Sequence, residues 1–336
     1  MQSCVIMFII SISMIFKIPV LQKENTQLLA MFWNLENFFD WKDTGISDSD
    51  REFSSLGDRR WTKSRFYAKR NAIVKSILWI ADKAEHMPDA IGFAEVENSD
   101  VVRAIAKSDA LKKYGYDYIH YDSPDPRGID VAIIYRKEVL ELIDSRPVKV
   151  GGKQNISKIG LSLDDFKTRD ILYTEFRHYE TGKKIYLLVN HHPSKYGGSK
   201  RSELKRLSAV LSLKHVCDSL KLAESGNIVA MGDFNDDPDS DVFRMLENVM
   251  YCLANKKEFS GKGTIKFRGR REMIDLFFVS QSLLPFSKMK IVEIPFLLEP
   301  DKAFSGMKPK RTYSGPRYLG GVSDHLPILI YLSTLL

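Results

Sequence analysis

Residues 228–238 read IVAMGDFNDDP. An apolar run, Ile228 to Met231, passes through glycine straight into Asp233, Asn235, Asp236 and Asp237. That pattern is a short buried strand ending abruptly in carboxylates and an amide. The same junction recurs along the chain. Leu28–Leu35 encloses Asn34 and stops at Glu36, and Ala90–Ala94 stops at Glu95, with Glu97 two residues on. Lys184–Val189 stops at Asn190, His191 and His192. Asp275 stands near the head of Met273–Val279, and Ser323, Asp324 and His325 precede the last apolar run, Pro327–Leu332. One such junction is only a loop start. Repeated at strand after strand, it gathers acid, amide and imidazole on one rim of the sheets, where sites are built from strand ends and loops.

Three more runs, Tyr116–Tyr121, Ile129–Tyr135 and Ile171–Phe176, read as strands. Two segments read as amphipathic helices. In Thr62–Glu85, residues Phe66, Ile73, Ile77, Ile80 and Ala84 recur at helical spacing, with Thr62 as N-cap. In Ser199–Ala223, residues Leu207, Val210, Leu213, Cys217 and Leu220 do the same. Trp41–Trp61 and the basic stretch Leu298–Gly321 read as long loops. Many short strands with few helices predict an α+β fold of two packed, mainly antiparallel sheets flanked by helices.

Composition permits a phosphate-handling enzyme without requiring one. The chain has 336 residues, 44% of them hydrophobic and 28% charged, with a formal net charge of +7. This excludes wholesale disorder and leaves material for a large core. Three cysteines, Cys4, Cys217 and Cys252, cannot staple such a fold, and their spacing excludes a C-x-x-C zinc site. Carboxylates and amides without thiolates form a hard oxygen-ligand set suited to Mg2+, Mn2+ or Ca2+. Histidines beside such a set serve as proton carriers or hydrogen-bond donors. Together these residue types suit metal-assisted hydrolysis of phosphoesters.

Seven motifs stand in order: WNLEN (33–37), AEVEN (94–98), RGIDVAIIYR (127–136), NHHPS (190–194), GDFNDDP (232–238), MIDLFFVS (273–280) and SDHLP (323–327). Their order resembles the endonuclease/exonuclease/phosphatase superfamily, over roughly residues 28–333. RGIDVAIIYR and NHHPS, with KTRD at 167–170, are similar to an exported bacterial subgroup. The resemblance implies a four-layer deoxyribonuclease I-like sandwich for a catalytic domain over 28–334. It implies metal-site roles for Asn34, Glu36, Glu95 and Asp324. It implies phosphate contact for His191, water orientation and phosphate binding for Asp233 and Asn235, acid/base or phosphate work for His325, and orientation of His325 by Asp275. Where the family usually has glutamine, this chain has Ala94.

Other polar residues carry plainer readings. Asp236 and Asp237 are expected as turn formers before Pro238, and His192 as a packing or capping neighbour. His86, His120, His178 and His215 are expected as ordinary histidines. Strand alternation puts Glu95 and Glu97 on one face, and Glu95 is preferred on motif grounds. Arg127 and Arg169 are candidate phosphate clamps, with structural salt bridges the equal alternative. Loop cations, namely Arg127, Arg169, Lys195 and those of Lys308–Arg317, are expected to make the cleft walls basic.

The uncharged apolar run 4–16 lies in a segment, 1–22, read as a signal peptide, an anchor or an extension upstream of a start at Met7, Met14 or Met31. The expectation is export, to the periplasm or beyond, or a cytoplasmic protein if the segment is no signal. No membrane contact beyond this segment and no obligate protein partner is expected. The expected function is a divalent-metal-dependent phosphodiesterase, a nuclease acting on DNA or RNA. The alternatives are a phosphomonoesterase or lipid-headgroup phosphodiesterase, and a catalytically silent binding protein of the same fold.

Overall fold

The computed structural model describes residues 27–151, 167–195, 199–222, 226–254 and 257–335. The apolar segment 1–22 lies outside them. In chain order the strands are β1 (Leu28–Phe38), β2 (Ala90–Val96), β3 (Tyr116–His120), β4 (Asp130–Arg136), β5 (Leu140–Val148) and β6 (Ile171–His178). They continue as β7 (Lys184–His191), β8 (Ile228–Asp233), β9 (Met250–Cys252), β10 (Ile265–Phe267), β11 (Arg270–Glu272) and β12 (Asp275–Ser280). The last are β13 (Ser287–Ile291), β14 (Leu298–Pro300), β15 (Met307–Pro309), β16 (Tyr313–Ser314), β17 (Arg317–Tyr318) and β18 (Ile328–Leu332). The helices are α1 (Asp48–Glu52), α2 (Lys63–Ala84), α3 (Ser99–Ala106), α4 (Asp109–Lys112) and α5 (Ser199–Leu222). None of them is long and apolar enough to cross a membrane.

Two six-stranded sheets carry the fold, ordered β13-β18-β1-β2-β4-β3 and β5-β6-β7-β8-β12-β9. Within each, one central pair is parallel, β1 with β2 and β7 with β8, and the other pairs are antiparallel. Parallel strands deliver their C-terminal ends to the same edge. This is why the polar residues that close β1 and β2, and those that close β7 and β8, arrive side by side.

Strand alternation sorts the core into two clusters. Leu29, Met31, Trp33 and Leu35 of β1 pack with Phe66, Ile73 and Ile77 of α2. Ala30 and Phe32 of the same strand join Val189, Met231 and Phe277 of the second sheet, a cluster that extends to Val210, Leu213 and Cys217 of α5. β1 is therefore buried on both faces. The layers run helix, sheet, sheet, helix, as expected for the sandwich. α2 is capped at Thr62, whose side chain accepts from the Arg65 amide, and it ends at Glu85 in the left-handed region.

The structure adds elements that the sequence pattern concealed. β5 and β13 are edge strands, one exposing Leu142 and Ile143 and the other carrying Lys288 and Lys290. Polar or charged edge strands lack the apolar pattern of central ones. Neither long loop is featureless. The 41–61 stretch holds α1 and folds over buried Asp50, whose carboxylate accepts from the Thr44 amide and hydroxyl and the Ile46 amide. The 298–321 stretch forms two hairpins, β14–β15 and β16–β17.

At the contact between sheets, Gly92 leaves room for its neighbours. A Cβ there would lie 2.9 Å from Met231 Sδ and 3.2 Å from Val189 Cγ1. Gly92→Val is expected to destabilise the protein by about 1–3 kcal/mol through overpacking, read as a lower urea midpoint at unchanged slope.

Candidate active site

Register builds the centre. β7 pairs in parallel with β8 so that His191 stands beside Asp233, and β8 pairs antiparallel with β12 so that Asp233 stands beside Asp275. His325 reaches in from the loop before β18, with Nδ1 2.8 Å from Asp275 Oδ2 and Nε2 4.0 Å from Asp233 Oδ2. Its backbone is pinned to β1. The Trp33 indole N–H donates to the His325 carbonyl at 2.9 Å. The His325 amide donates to Ser323 Oγ, which in turn donates to the Asn34 carbonyl at 2.6 Å. Asn34 Nδ2 then donates to Asp233 Oδ2 at 3.1 Å, joining the two sheets.

Electrostatics divides the two imidazoles. Burial opposes the cationic form of His325, but the charges of Asp275, Asp233 and Asp324 outweigh it and hold its pKa well above the ordinary value. His191 is held well below that value by burial and then by the Arg169 and Arg127 charges. Its Nε2 stands 3.7 Å from Asp233 Oδ2 and 3.8 Å from Glu95 Oε1. One histidine is thus held as a cation and the other neutral. Burial, then the Asp275 charge, pushes Asp233 up to about 7. Groups whose surroundings drive their pKa values apart divide naturally into acid and base.

The metal-type residues lie on the first sheet's rim. Glu36, Glu95 and Asn235 all have positive φ, at 48°, 60° and 52°. Non-glycine residues pay for that conformation, so three of them at strand ends mark a site where aim outweighs local ease. Glu95 Oε2 accepts from the Asn37 amide at 2.8 Å, and its Oε1 lies 3.7 Å from Arg127 Nη2. Glu36 accepts from Arg311 Nε at 2.8 Å and from the Thr312 amide at 2.7 Å. Arg311 Nη2 also lies 3.0 Å from Asp324 Oδ2. Buried Lys69 donates to the Glu36 carbonyl at 2.7 Å and to Thr312 Oγ1 at 2.8 Å. Burial drives the Lys69 pKa down to about 8, against the pull of Glu36, Glu95 and Asp324. Burial and then Asp324 push Glu36 up to about 7. Arg311, Lys69 and Arg127 stand about three carboxylates here, and Glu95 Oε1 takes no hydrogen bond among the described residues. An all-oxygen set with a carboxylate oxygen left open fits a hard divalent ion.

Several expectations need correction. Arg169 is buried and spent, donating to Asp125 Oδ2 at 2.6 Å and to the His192 carbonyl at 3.0 Å, so it buttresses His191 from behind instead of clamping phosphate. Asp236 is no mere turn former. It accepts from buried Arg206 at 2.8 Å and lies 3.2 Å from Lys195. Asp237 does form the turn, accepting from the Asp239 amide. Glu97 does not share a face with Glu95, because the positive φ at Glu95 resets the alternation and Glu97 accepts from the Asp40 amide at 2.7 Å. Asn34 is tied on both sides, Nδ2 donating to Asp233 and Oδ1 accepting from the Glu36 amide, and that oxygen keeps a second lone pair. The basic loops are paired in part: Arg311 with Glu36 and Asp324, Lys195 with Asp236, and Lys308 with Glu299 at 3.8 Å, while Lys302, Lys310 and Arg317 take no ion pair among the described residues.

Arg127 stays half-exposed at the cleft, Asn235 ties its turn to the His192 carbonyl, and His192 packs edge-on against Phe234. His120, read as ordinary, is paired with Asp130 at 3.2 Å. Lys69 was missed, though its signal was present: it sits three residues after Phe66 and four before Ile73, a lysine inside the apolar stripe of α2.

Comparison with known proteins agrees with this fold. A model of the endonuclease/exonuclease/phosphatase family matches residues 29–334. None of the curated proteins matches the sequence. Among solved structures, a mannosyl-6-phosphatase from Bacteroides thetaiotaomicron is similar at TM-score 0.58 and 17% identity, over 91% of this chain and 99% of that one. The human nocturnin catalytic domain with bound sulfate follows at TM-score 0.54 and 15% identity, over 91% and 94%. TDP2 of D. rerio, complexed with a single-strand DNA product, gives TM-score 0.50 and 14% identity, over 91% and 99%. At these identities the likeness shows the fold.

Two outcomes test the electrostatics. Asp275→Asn removes the main charge favouring the His325 cation, so its pKa should fall by about one unit or more, read from the imidazole proton shifts by NMR titration. Burial, then the Arg169 and Arg206 charges, lowers His192 to about 3. Between its unfolded value near 6.5 and about 3, only the unfolded chain takes the proton, so stability falls as pH drops by about 1.4 kcal/mol per unit for this residue. His192→Phe should remove that share of the acid loss, measured by urea unfolding at pH 7 and pH 5.

Proposed function

The chain belongs to the endonuclease/exonuclease/phosphatase family, a family of phosphoric ester hydrolases, and we propose that it is a divalent-metal-dependent phosphodiesterase that cleaves DNA or RNA. The observation that carries this reading is the His191–Asp233–Asp275–His325 set, fixed by register, standing against the carboxylate set of Glu95, Glu36 and Asp324. One set moves protons and the other holds charge, and in-line hydrolysis of a phosphoester needs both.

Each residue has a role within that reading. A Mg2+ or Mn2+ ion held by Glu95 and Asp324, with Glu36 behind them, would polarise a phosphoryl oxygen and neutralise the leaving oxygen. Asp233, raised toward neutrality, orients the attacking water and takes its proton. Asn235 keeps the Asp233 carboxylate aimed through its amide, which donates to Asp233 Oδ1 at 2.9 Å. His325, held cationic with Nδ1 on Asp275, turns Nε2 to the phosphoryl oxygens, where a fixed positive charge favours the transition state. Neutral His191 contacts the same group from the β7 end, and half-exposed Arg127 closes the outer side. The nucleic-acid substrate draws support from the D. rerio structure with its single-strand DNA product, and the mannosyl-6-phosphatase marks the monoester alternative on this fold.

Glu95→Ala and His325→Ala should keep the wild-type circular dichroism and unfolding midpoint to within a few degrees. Each should lose about 10²–10⁴-fold in kcat/KM on single-stranded DNA, duplex DNA, RNA or bis-p-nitrophenyl phosphate with Mg2+ or Mn2+. EDTA should abolish turnover, and added Mg2+ or Mn2+ should restore it. Full activity in either variant, or in excess EDTA, sinks the reading. Turnover confined to sugar or lipid phosphates moves the protein to the alternative substrate class.

A further inference from the structure

Beside the catalytic set lies an open pocket of about 480 Å3, walled by the loop before β4, the segment entering β6, the loop after β7 and the first turns of α5. Its charged lining is Asp125, Arg127, Lys167, Arg169 and Lys205. Asp125 is consumed by Arg169 at 2.6 Å. Among the described residues Lys167 and Lys205 have no ion-pair partner. Lys195 and Arg206 are bound to Asp236, and Arg311 to Glu36 and Asp324. Two lysines without an ion pair among the described residues and Arg127 thus share this pocket.

The pocket is joined to the centre through one side chain. Arg127 lines it, lies 3.9 Å from Asp125 Oδ1, and reaches to 3.7 Å from Glu95 Oε1. Pro193 and Ser194 of the wall directly follow the His191–His192 pair. A group held here is therefore a near neighbour of the phosphate being cleaved. Among the described residues no aromatic side chain lines the pocket. What it offers is two lysine ammonium groups and an arginine fork, the chemistry that holds phosphate.

We propose that this pocket is a second phosphate subsite, and that the preferred substrate carries a further phosphate next to the scissile one. The inference rests on the phosphoesterase reading of the centre, and it narrows the substrate to compounds with at least two phosphates. A nucleic-acid strand supplies the second phosphate from the adjoining nucleotide; a bisphosphorylated sugar supplies it on one ring. The chemistry recognised is the same.

Binding tests the subsite apart from turnover. With the His325→Ala protein and Mg2+, dissociation constants for TpT, pTpT and TpTp are measured by calorimetry, along with glucose 6-phosphate and glucose 1,6-bisphosphate. The expected result is that an added phosphate tightens binding about tenfold in at least one pair, with the salt dependence steeper by about 0.7 in log Kd per log salt. In K167E/K205E on the same background that gain should vanish while TpT affinity moves less than twofold; K167R/K205R should retain it. A gain in the dinucleotide series identifies a strand as the source, and a gain in the sugar pair alone identifies a bisphosphate. Equal affinity within every pair, or a gain that survives charge reversal, overturns the subsite. Failure of the phosphodiesterase reading shows separately, as wild-type protein that cleaves none of the three dinucleotides with either metal.

Discussion

The hydrogen bond from Asn34 Nδ2 to Asp233 Oδ2 crosses from one sheet to the other where the chemistry lies. Each sheet alone supplies half a centre. β1 and β2 carry carboxylates, while β7, β8 and β12 carry the histidine and aspartates. The apolar contact of the sheets sets their spacing, and this polar contact ties their rims together. Ser323 and the Trp33 indole extend the constraint by tying the His325 loop to β1, so that the imidazole lands on Asp275 of the opposite sheet. The site thereby inherits the rigidity of two packed cores, which a loop-borne site would lack.

Charge compensation is the second constraint, and it explains why so many cations near the cleft are unavailable to a substrate. Carboxylates buried at the rim must be paired, or their pKa values rise until they neutralise. Glu36 shows both responses. It is held by Arg311 and Thr312, with Lys69 beneath, and is still pushed up to about 7. Arg169 on Asp125 and Arg206 on Asp236 perform the same service under the His191–His192 turn. Once these pairs are subtracted, the modest net charge of +7 carries little information about the cleft. The few cations left over carry the information, because no ion pair among the described residues occupies them.

Much of this was legible in the residues. Central strands are apolar on both faces and end in polar residues, so their runs and their closing motifs could be read directly. α2 could be read to within a residue, because Thr62 caps it and its apolar stripe holds register. What escaped has physical causes. β5 and β13 lie at sheet edges, where polar and charged residues are tolerated and blur the period. The positive φ at Glu95 carries no glycine to announce it, so simple alternation put Glu97 on the wrong face. Pairings such as Arg206 with Asp236 join residues from distant segments, and no local pattern encodes them.

Lys69 shows how the two kinds of information meet. Its place in the apolar stripe of α2 is a breach of helical patterning, visible without coordinates. Its reason is not visible, because that requires Glu36 and Thr312 to arrive from β1 and from the loop before β16. A lysine buried at such cost persists only where fixed negative charge surrounds it. The breach in the pattern and the acidic rim are therefore one fact: the carboxylates that make the centre attractive to a divalent ion also oblige the neighbouring helix to contribute a buried cation.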